Sequence, residues 1–444
     1  MISSVFLDKL IKNSKFNPKS LNHLINILLG NLIYFFLSLL FAKLVSSFVT
    51  KNDYGIYSLF RPYSMILISL IYCGYNDGIG FFYKRLESNN TKNNFLINIK
   101  FVEKRLFQKN LLFTLITFTI ALFFMSLDKA LILLSISLFT HFEIRKDYNL
   151  EIFTVERMTK SFVFFKNTEI LLKLVFLLLI ARFFEINSFL FSMIPLISVY
   201  LISCIQQIRL RPFLPNLKDK QIDFKFFKKM QSNLNEFTKP YKKWTPVEGI
   251  YTILMPLILG YILKPSNFAI YTLYYQITYL PIFILLTSLI AFLKPKIYEL
   301  ENKTNNNSRT EMIFISLSII LLIFGFIITL FAHINGEKIF SLILSEQYMS
   351  NIKIISLFCM ASFIAAISEL YDFVSIARLN HNLLTSKKII NSICKSSIII
   401  IFSLLYGLKG VGMGILSGEF LNVVYSFYIL KSTSNKKGLI KIRS

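Results

Sequence analysis

The segment YGIYSLFRPYSMILISLIYCGY, residues 54–75, decides the fold of this chain. It is apolar and aromatic over enough residues to cross a hydrocarbon core of about 30 Å as a helix, yet it contains Arg61. A similar stretch, FAIYTLYYQI, returns 214 positions later at 268–277, with Tyr275 in place of the arginine. We therefore expect two related halves, each built from membrane-crossing helices.

The composition agrees with a membrane protein, because 54% of the residues are hydrophobic, 16% are aromatic and the mean hydropathy is +0.58. Apolar runs long enough to span a bilayer recur along the whole length, and we count about twelve of them. The predicted spans are 24–44, 56–76, 110–127, 130–150, 166–183, 187–207, 246–263, 268–292, 312–333, 353–376, 389–408 and 410–430.

The positive charge follows the loops in a regular way. The net charge of +25 could indicate nucleic acid as a partner, but its placement argues for a membrane topology instead. The basic residues on the side away from the termini are only Lys43, Lys51, Lys129, Arg182, Lys264, Lys338, Lys353 and Lys409. Most of the other Lys and Arg residues lie on the side of the termini, so both termini are expected in the cytoplasm.

Three regions are expected along the chain: an N-lobe at 1–208, a cytoplasmic linker at 209–243 and a C-lobe at 244–444. The linker is rich in Lys and Phe, which suits either a segment lying on an anionic leaflet or a solvated loop. An even number of helices separates the two repeat copies, so the lobes should have the same orientation. Such parallel lobes enclose a central path in two-lobed transporters.

The second predicted helix has one polar side. Tyr57, Arg61, Ser64, Tyr72 and Tyr75 fall on that side when residues are placed at 100° intervals around a helix. Burying an arginine in the membrane costs on the order of 3 kcal/mol or more, unless a cavity or a counter-ion receives the charge. The polar side is therefore expected to line the central path. The alternative is that Arg61 extends to the outer surface.

Other charges lie within predicted spans. Lys173 follows Glu169 by one turn, so the two residues are expected to pair within their helix. Asp372 and Lys395 should lie at similar depth on consecutive helices and form a second buried pair, with Glu369 on the same face as Asp372. This pair can be architectural, or Glu369 and Asp372 can bind the ion that is coupled to transport.

The last predicted helix carries Gly410, Gly414 and Gly418 at four-residue spacing, which favours close packing against a neighbouring helix. The sequence contains no nucleotide-binding G-x-x-x-x-G-K-[ST] loop and no His or Cys spacing typical of a metal site. We therefore expect no cofactor, no metal and no ATP hydrolysis by this chain.

The segment VTKNDYGIYSLFRPYSMILISLIYCGYNDGIGFFYKRL, residues 49–86, resembles the Wzx-type polysaccharide (O-antigen) flippases of the multidrug/oligosaccharidyl-lipid/polysaccharide exporter superfamily. The residues that carry the likeness are Asp53, Tyr54, Gly55, Ile56, Tyr57, Gly74 or Gly78, Lys84 and Arg85. Further likenesses are FLKPKIYEL at 292–300, ILSEQYMSN at 343–351 and YGLKGVGMGILSGEFLNVVYSFYILK at 406–431. The second copy of the repeat departs from the pattern, with Ala269 for the glycine and no arginine.

The resemblance implies an all-α, MATE-like protein of about 12 helices in two parallel lobes that form a V. It implies a multi-pass protein of the bacterial inner membrane that moves undecaprenyl-pyrophosphate-linked oligosaccharide units to the periplasmic leaflet for surface polysaccharide, such as the O-antigen of lipopolysaccharide. Its implied partners are membrane lipids, H⁺ or Na⁺ as the coupling ion, and polymerase and chain-length regulator proteins.

The same resemblance implies a basic cavity for the anionic head group. The expected substrate-binding residues are Arg61, Lys173, Lys395, Tyr57, Ser64 and Tyr72, and the expected ion-coupling residues are Glu369 and Asp372. Arginine suits this role because its guanidinium binds pyrophosphate or a sugar acid through two hydrogen bonds.

Three other functions compete with this interpretation. A multidrug or cation antiporter of the same superfamily would share the helix plan but would favour an acidic cavity. A flippase for lipid-linked peptidoglycan precursors typically has two helices more than we count. A polytopic polysaccharide polymerase would be an enzyme with a sizeable outer loop, whereas the longest outer loop here is 334–351.

Overall fold

A computed structural model describes residues 18–72, 89–155, 158–210, 232, 254–287, 290, 307–377 and 381–434. The expected linker at 209–243 lies almost entirely outside these residues, as does Tyr75. Within the described ranges the regular elements are helices, and one isolated bridge pairs Val49 with Ile186. Helices are the expected outcome, because in lipid each backbone N–H and C=O must find its partner inside the segment.

The helices are, in chain order, α1 (Pro18–Phe48), α2 (Lys51–Phe60), α3 (Tyr63–Leu67, extended by a π turn at Ile68–Tyr72), α4 (Asn89–Phe124), α5 (Leu127–Val155), α6 (Thr159–Phe183), α7 (Ser188–Leu210), α8 (254–263), α9 (265–287, with a π turn at Tyr275–Tyr279), α10 (Asn307–Ile343), α11 (Ile354–Ala377), α12 (381–406) and α13 (408–434). Each of the predicted spans overlaps one of these helices, and α2 and α3 together overlap the second span.

Two long helical stretches contain a break in the backbone. Lys264, between α8 and α9, has a φ of 63°, and Gly407, between α12 and α13, has a φ of 57°. A residue in this left-handed region cannot continue a right-handed helix, and glycine adopts it most easily. The breaks lie where the sequence predicted the ends of the seventh and eleventh spans.

Seven helical stretches among the described residues are long and apolar enough to cross a membrane. Two of them, 254–287 and 386–431, contain the breaks at Lys264 and Gly407, so each accounts for two predicted spans. Helix α5 continues to Val155 through the charged run 141–155. Its Lys146 is buried but pairs with Glu169 of α6 at 2.9 Å, which offsets the cost of burying the charge.

The helices pack as two lobes. In the N-lobe α1 packs against α6, and α5 packs against α4 and α7; in the C-lobe α11 packs against α10 and against the α12–α13 pair. The three glycines of α13 lie against α12, as predicted. A Cβ atom at Gly410, Gly414 or Gly418 would lie 1.8 Å from Phe402 O, 2.6 Å from Ile399 Cα or 2.6 Å from Lys395 Cγ, respectively.

The lobes meet at one face of the molecule, which we call the closed face and define by 43–59 of the N-lobe and 260–277 and 342–348 of the C-lobe. Ser345 donates hydrogen bonds through its backbone N–H to Ser46 Oγ (3.1 Å) and through its hydroxyl to Ser46 O (2.5 Å). Gln347 donates to Ser46 O at 2.9 Å. A Cβ atom at Gly55 would lie 2.0 Å from Pro265 O, so the motif glycine allows the lobes to touch.

Tyr348 adds a further contact across the closed face. Its hydroxyl donates to Val49 O at 3.2 Å, and its ring is fully buried. Burial raises the pKa of the Tyr348 phenol, so the hydroxyl stays protonated and available as a donor. The N-lobe residues of these interlobe hydrogen bonds, together with Lys43 and Tyr54, which bond to Leu342 O and to Gln276, lie within 43–54, near this face.

Candidate functional site

The site begins with the way α2 is anchored. Thr50 caps the helix by accepting from Asp53 N–H at 3.2 Å, and Asp53 accepts from the Thr50 hydroxyl at 2.6 Å and from the Ser188 backbone N–H at 3.0 Å. Because Ser188 is the first residue of α7, one carboxylate holds the starts of two helices together. Asp53, the acidic residue of the motif, thus has a structural role.

Helix α2 ends at Phe60, and Arg61 and Pro62 form a turn before α3. Proline has no N–H to continue the helical hydrogen bonds, so the break is set by the sequence. Arg61 lies ten residues after the start of α2 at Lys51, about 15 Å along the helix axis. Lys173 lies ten residues before the end of α6 at Phe183, at a similar depth from the same face.

A cavity of about 140 Å³ lies between the lobes behind the closed face. Its walls come from α1, α2 and α6 of the N-lobe and from α9 of the C-lobe. The lining residues are Tyr34, Ser38, Phe41, Ala42, Val45, Tyr54, Arg61, Ile170, Lys173, Leu273, Gln276, Ile277, Leu280, Pro281 and Ile284. Among these lining residues, Arg61 and Lys173 have side chains that are charged at neutral pH, and both are cations.

The two cations differ in how they are balanced. Lys173 donates to Glu169 at 2.6 Å, which confirms the predicted pair, and Glu169 also accepts from Lys146 at 2.9 Å. Arg61 has no hydrogen bond or ion pair with any described residue through its side chain, although Glu143 is close enough to act on it electrostatically. The guanidinium is therefore the cation with the greater capacity to bind an added anion.

The π turn of α9 shapes the opposite wall. The extra residue in such a turn changes which side chains face a given side, and π turns often occur at functional sites. Here Gln276 faces the cavity and accepts from the Tyr54 hydroxyl at 2.8 Å, so a hydrogen bond links the lobes beside Arg61. Tyr279, three residues later, faces the interior of the C-lobe.

Three residues predicted to line the path with Arg61 are buried instead. Tyr57 packs against Phe191 with ring centroids 4.9 Å apart. Ser64 donates to the Arg61 backbone carbonyl at 2.9 Å, and the Tyr72 hydroxyl is 3.0 Å from His141 Nδ1. For Ser64 and Tyr72 the regular 100° interval fails because the Arg61–Pro62 turn, and for Tyr72 also the π turn at Ile68–Tyr72, change the angular register. Tyr57 precedes both irregularities and is buried because Phe191 of α7 covers it.

The predicted pair between Asp372 and Lys395 is wrong. Asp372 binds Lys387 at 2.5 Å, and the same ammonium donates to Ser368 at 3.0 Å. Lys395 lies eight residues further along α12, about 12 Å deeper, and cannot reach Asp372. Glu369 is partly exposed and acts electrostatically on Lys387.

Lys395 pairs instead with Glu419 of α13. Glu419 is only 3% exposed and also accepts from the Tyr279 hydroxyl at 2.6 Å, while Lys395 is 27% exposed. Gly418 allows this arrangement, since a side chain there would collide with the Lys395 stem. Lys395 therefore belongs to a C-lobe cluster with Glu419 and Tyr279, and it does not line the interlobe cavity described above.

Comparison with solved structures shows which known proteins share this architecture. The inward-facing conformation of a multidrug resistance MATE family transporter of the MOP superfamily gives a TM-score of 0.67 at 13% identity, covering 90% of this chain and 96% of that one. The lipid II flippase MurJ in an inward closed conformation gives 0.68 at 14% identity, covering 93% and 90%. The chain has the MATE-like fold. The MATE multidrug transporter DinF-BH gives 0.63 at 14% identity, covering 96% and 98%.

No protein-family model matches the sequence, and no curated protein matches it. The structural likeness confirms the predicted fold class: an all-helical membrane protein with two lobes in a V. In this MATE-like chain the repeat quoted at the outset forms α2 and α9, which face each other across the interlobe cavity.

Several important residues of the MATE-like chain were not predicted from the sequence. Gln276 stands inside the quoted repeat, but its role depends on a π turn that no simple pattern indicates. Glu419 stands in the quoted segment 406–431, and a lone acid in an apolar helix was the available signal. Among the residues that the structure describes, no group of acidic, His or Cys side chains is suited to hold a metal ion.

Proposed function

We propose that this chain moves an undecaprenyl-pyrophosphate-linked oligosaccharide from the cytoplasmic to the periplasmic leaflet of the bacterial inner membrane. The observation that supports the proposal most is the pair of cations, Arg61 and Lys173, on the wall of a cavity between two lobes. A charged residue at this depth is costly unless it has a function, and an anionic head group would repay that cost.

The chemistry of the two cations suits a pyrophosphate that must bind and then leave. Arg61 can donate two parallel hydrogen bonds to phosphate oxygens. Lys173 adds a point charge. Its ammonium is held 2.6 Å from the Glu169 carboxylate, which also accepts from Lys146 at 2.9 Å. The cavity of about 140 Å³ is smaller than a sugar unit with its head group, so the lobes must separate to admit the cargo.

The most direct test uses purified protein in liposomes that contain a fluorescently labelled undecaprenyl-pyrophosphate oligosaccharide. A membrane-impermeant quencher reports how much label has reached the outer leaflet, and the protein should raise the rate of transfer well above that of empty liposomes. An equal rate in both preparations would contradict the proposal. Restoration of surface glycan in a flippase-deficient strain gives a second readout.

Opening of the closed face is required in this mechanism, because the cargo must leave toward it. The double variant Ser46→Cys/Ser345→Cys places two thiols at residues whose side chains each hydrogen-bond to the other residue's backbone. We expect an oxidant to cross-link the lobes and reduce translocation to background in the oxidised fraction, with recovery after reduction. The wild type, treated with the same oxidant, controls for the native cysteines. Full activity of the cross-linked protein would exclude opening at this face.

Coupling to a proton or sodium gradient is part of the proposal, with Glu369 and Asp372 as the coupling carboxylates. Glu369→Gln/Asp372→Asn should translocate cargo at a rate that no longer responds to an imposed gradient. Asp372→Asn removes the partner that lies 2.5 Å from the Lys387 ammonium, and Lys387 is only 2% exposed. A matched variant therefore adds Lys387→Met, which removes the unpaired buried charge. A preserved response to the gradient in the matched variant would rule out this assignment.

A cation exporter is the second candidate, since two of the similar structures are multidrug transporters. The lining described for the interlobe cavity argues against it, because a cationic drug would meet two cations there. Efflux of a cationic dye by the wild type, with no effect on lipid-linked sugar, would favour this second function over the first.

A further inference from the structure

A second cavity lies on the outer surface of the N-lobe, on the side opposite the closed face. It is a groove of about 540 Å³ between the start of α6 and the end of α7, and we call it the lateral groove. Its lining residues are Lys160, Ser161, Phe164, Phe165, Ile205, Ile208 and Arg209. None of them lines the interlobe cavity, so the lateral groove is a separate feature of the molecule.

The lateral groove is ordered from polar to apolar. Lys160 is the second residue of α6 and Arg209 is the penultimate residue of α7, so both cations lie at the rim. Phe164 and Ile205 lie one turn deeper on the same two helices, about 6 Å further into the membrane. A charged rim above an apolar wall matches a phospholipid, whose phosphate lies above its acyl chains.

The two rim cations are exposed, and neither has a hydrogen bond or an ion pair through its side chain with a described residue. The wall below them is also uncovered, since Phe164 is 59% and Ile208 is 59% exposed. Phe165 forms a rigid floor by stacking on Phe153 with ring centroids 5.3 Å apart. In a membrane the uncovered wall faces acyl chains, so a lipid has access to the lateral groove.

We propose that the lateral groove binds an anionic phospholipid. The phosphodiester lies between Lys160 and Arg209, and an acyl chain runs along Phe164, Ile205 and Ile208. Basic pockets between membrane helices near the cytoplasmic surface bind lipid head groups in this way. The site is independent of the proposed transport activity, and a lipid held there supports the ends of α6 and α7, the helices that carry Lys173 and Ser188, the partner of Asp53.

Native mass spectrometry of the full chain in detergent tests this assignment. The probes are phosphatidylglycerol and phosphatidylcholine with the same acyl chains, together with glycerol 1-phosphate as a soluble competitor. The wild type should retain phosphatidylglycerol in preference to phosphatidylcholine. Each rim cation is worth roughly a fivefold change in affinity for an anionic lipid, so Lys160→Gln/Arg209→Gln should weaken phosphatidylglycerol binding about 30-fold. Phosphatidylcholine binding should weaken less, because the choline cation offsets the charge of its phosphodiester.

The matched control is Lys104→Gln/Lys109→Gln, which removes two exposed cations of α4 outside the lateral groove and should retain the preference. Monodispersity on size-exclusion chromatography shows that each variant is folded. Equal binding of the two lipids by the wild type would overturn the proposal, as would unchanged phosphatidylglycerol binding by the rim variant. Displacement of the lipid by glycerol 1-phosphate would identify a site for free phosphate instead and would also overturn it.

Discussion

Replacing Arg61 with alanine should slow translocation of the lipid-linked oligosaccharide by about 100-fold or more. A hydrogen bond to a charged group contributes about 1.5–3 kcal/mol, and the guanidinium can form two of them with a pyrophosphate. Arg61→Lys keeps the charge but loses the planar guanidinium that can donate two parallel hydrogen bonds. It should therefore retain part of the activity, at about a tenth of the wild-type rate. The measurement is the initial rate of quencher-detected transfer in liposomes.

Lys173→Ala should have a smaller effect than Arg61→Ala. Glu169 already neutralises much of the Lys173 charge at 2.6 Å, whereas the Arg61 side chain has no ion pair with a described residue. Arg182→Ala is the matched control, since Arg182 is an exposed cation in the last turn of α6 and does not line the interlobe cavity. If Arg61→Ala translocates as fast as this control, Arg61 does not bind the cargo.

The sequence was sufficient to predict the fold class, because the bilayer imposes the length of the helices and the repeat indicates two related halves. The sequence also singled out Arg61 and Lys173 as charges inside apolar helices, and both line the interlobe cavity. Their role in binding cargo stays a prediction. From the sequence, Arg61 was expected about one turn inside its helix. In the structure α2 begins earlier, at Lys51, which puts Arg61 ten residues from the start of the helix and beside a cavity.

The side chains around Arg61 could not be predicted in the same way. Ser64 and Tyr72 share a side with Arg61 only if the helix is regular, and the Arg61–Pro62 turn and the π turn remove that regularity. Tyr57 is covered by Phe191 of α7, a contact that the sequence pattern does not indicate. Buried pairs between helices posed a similar difficulty. Asp372 and Lys395 have comparable depth in the sequence, but Lys387 is the lysine that lies beside Asp372. The choice depends on the rotation and offset of two helices, which tertiary packing sets.

Glu419, the unpredicted partner of Lys395, should be the most important single carboxylate for the stability of the C-lobe. It is 3% exposed, it accepts from Tyr279 at 2.6 Å and from Asn422 at 3.4 Å, and it pairs with the partly buried Lys395. Removing one member of a buried ion pair leaves the other charge without compensation, at a cost of about 3–5 kcal/mol. Because Lys395 is 27% exposed and can shift toward water, we expect the lower end of that range for Glu419→Ala.

The same cluster allows a test that separates charge balance from simple loss of packing. Glu419→Ala should lower the temperature of thermal unfolding in detergent, whereas Glu419→Gln/Lys395→Met, which removes both charges and keeps the volume, should recover most of the loss. Glu185→Ala is the control, since Glu185 is an exposed acid between α6 and α7. If Glu419→Ala unfolds at the wild-type temperature, the pair contributes nothing to stability. If the double variant is stable but no longer responds to an ion gradient, the coupling carboxylate is Glu419, and the assignment of Glu369 and Asp372 must be abandoned.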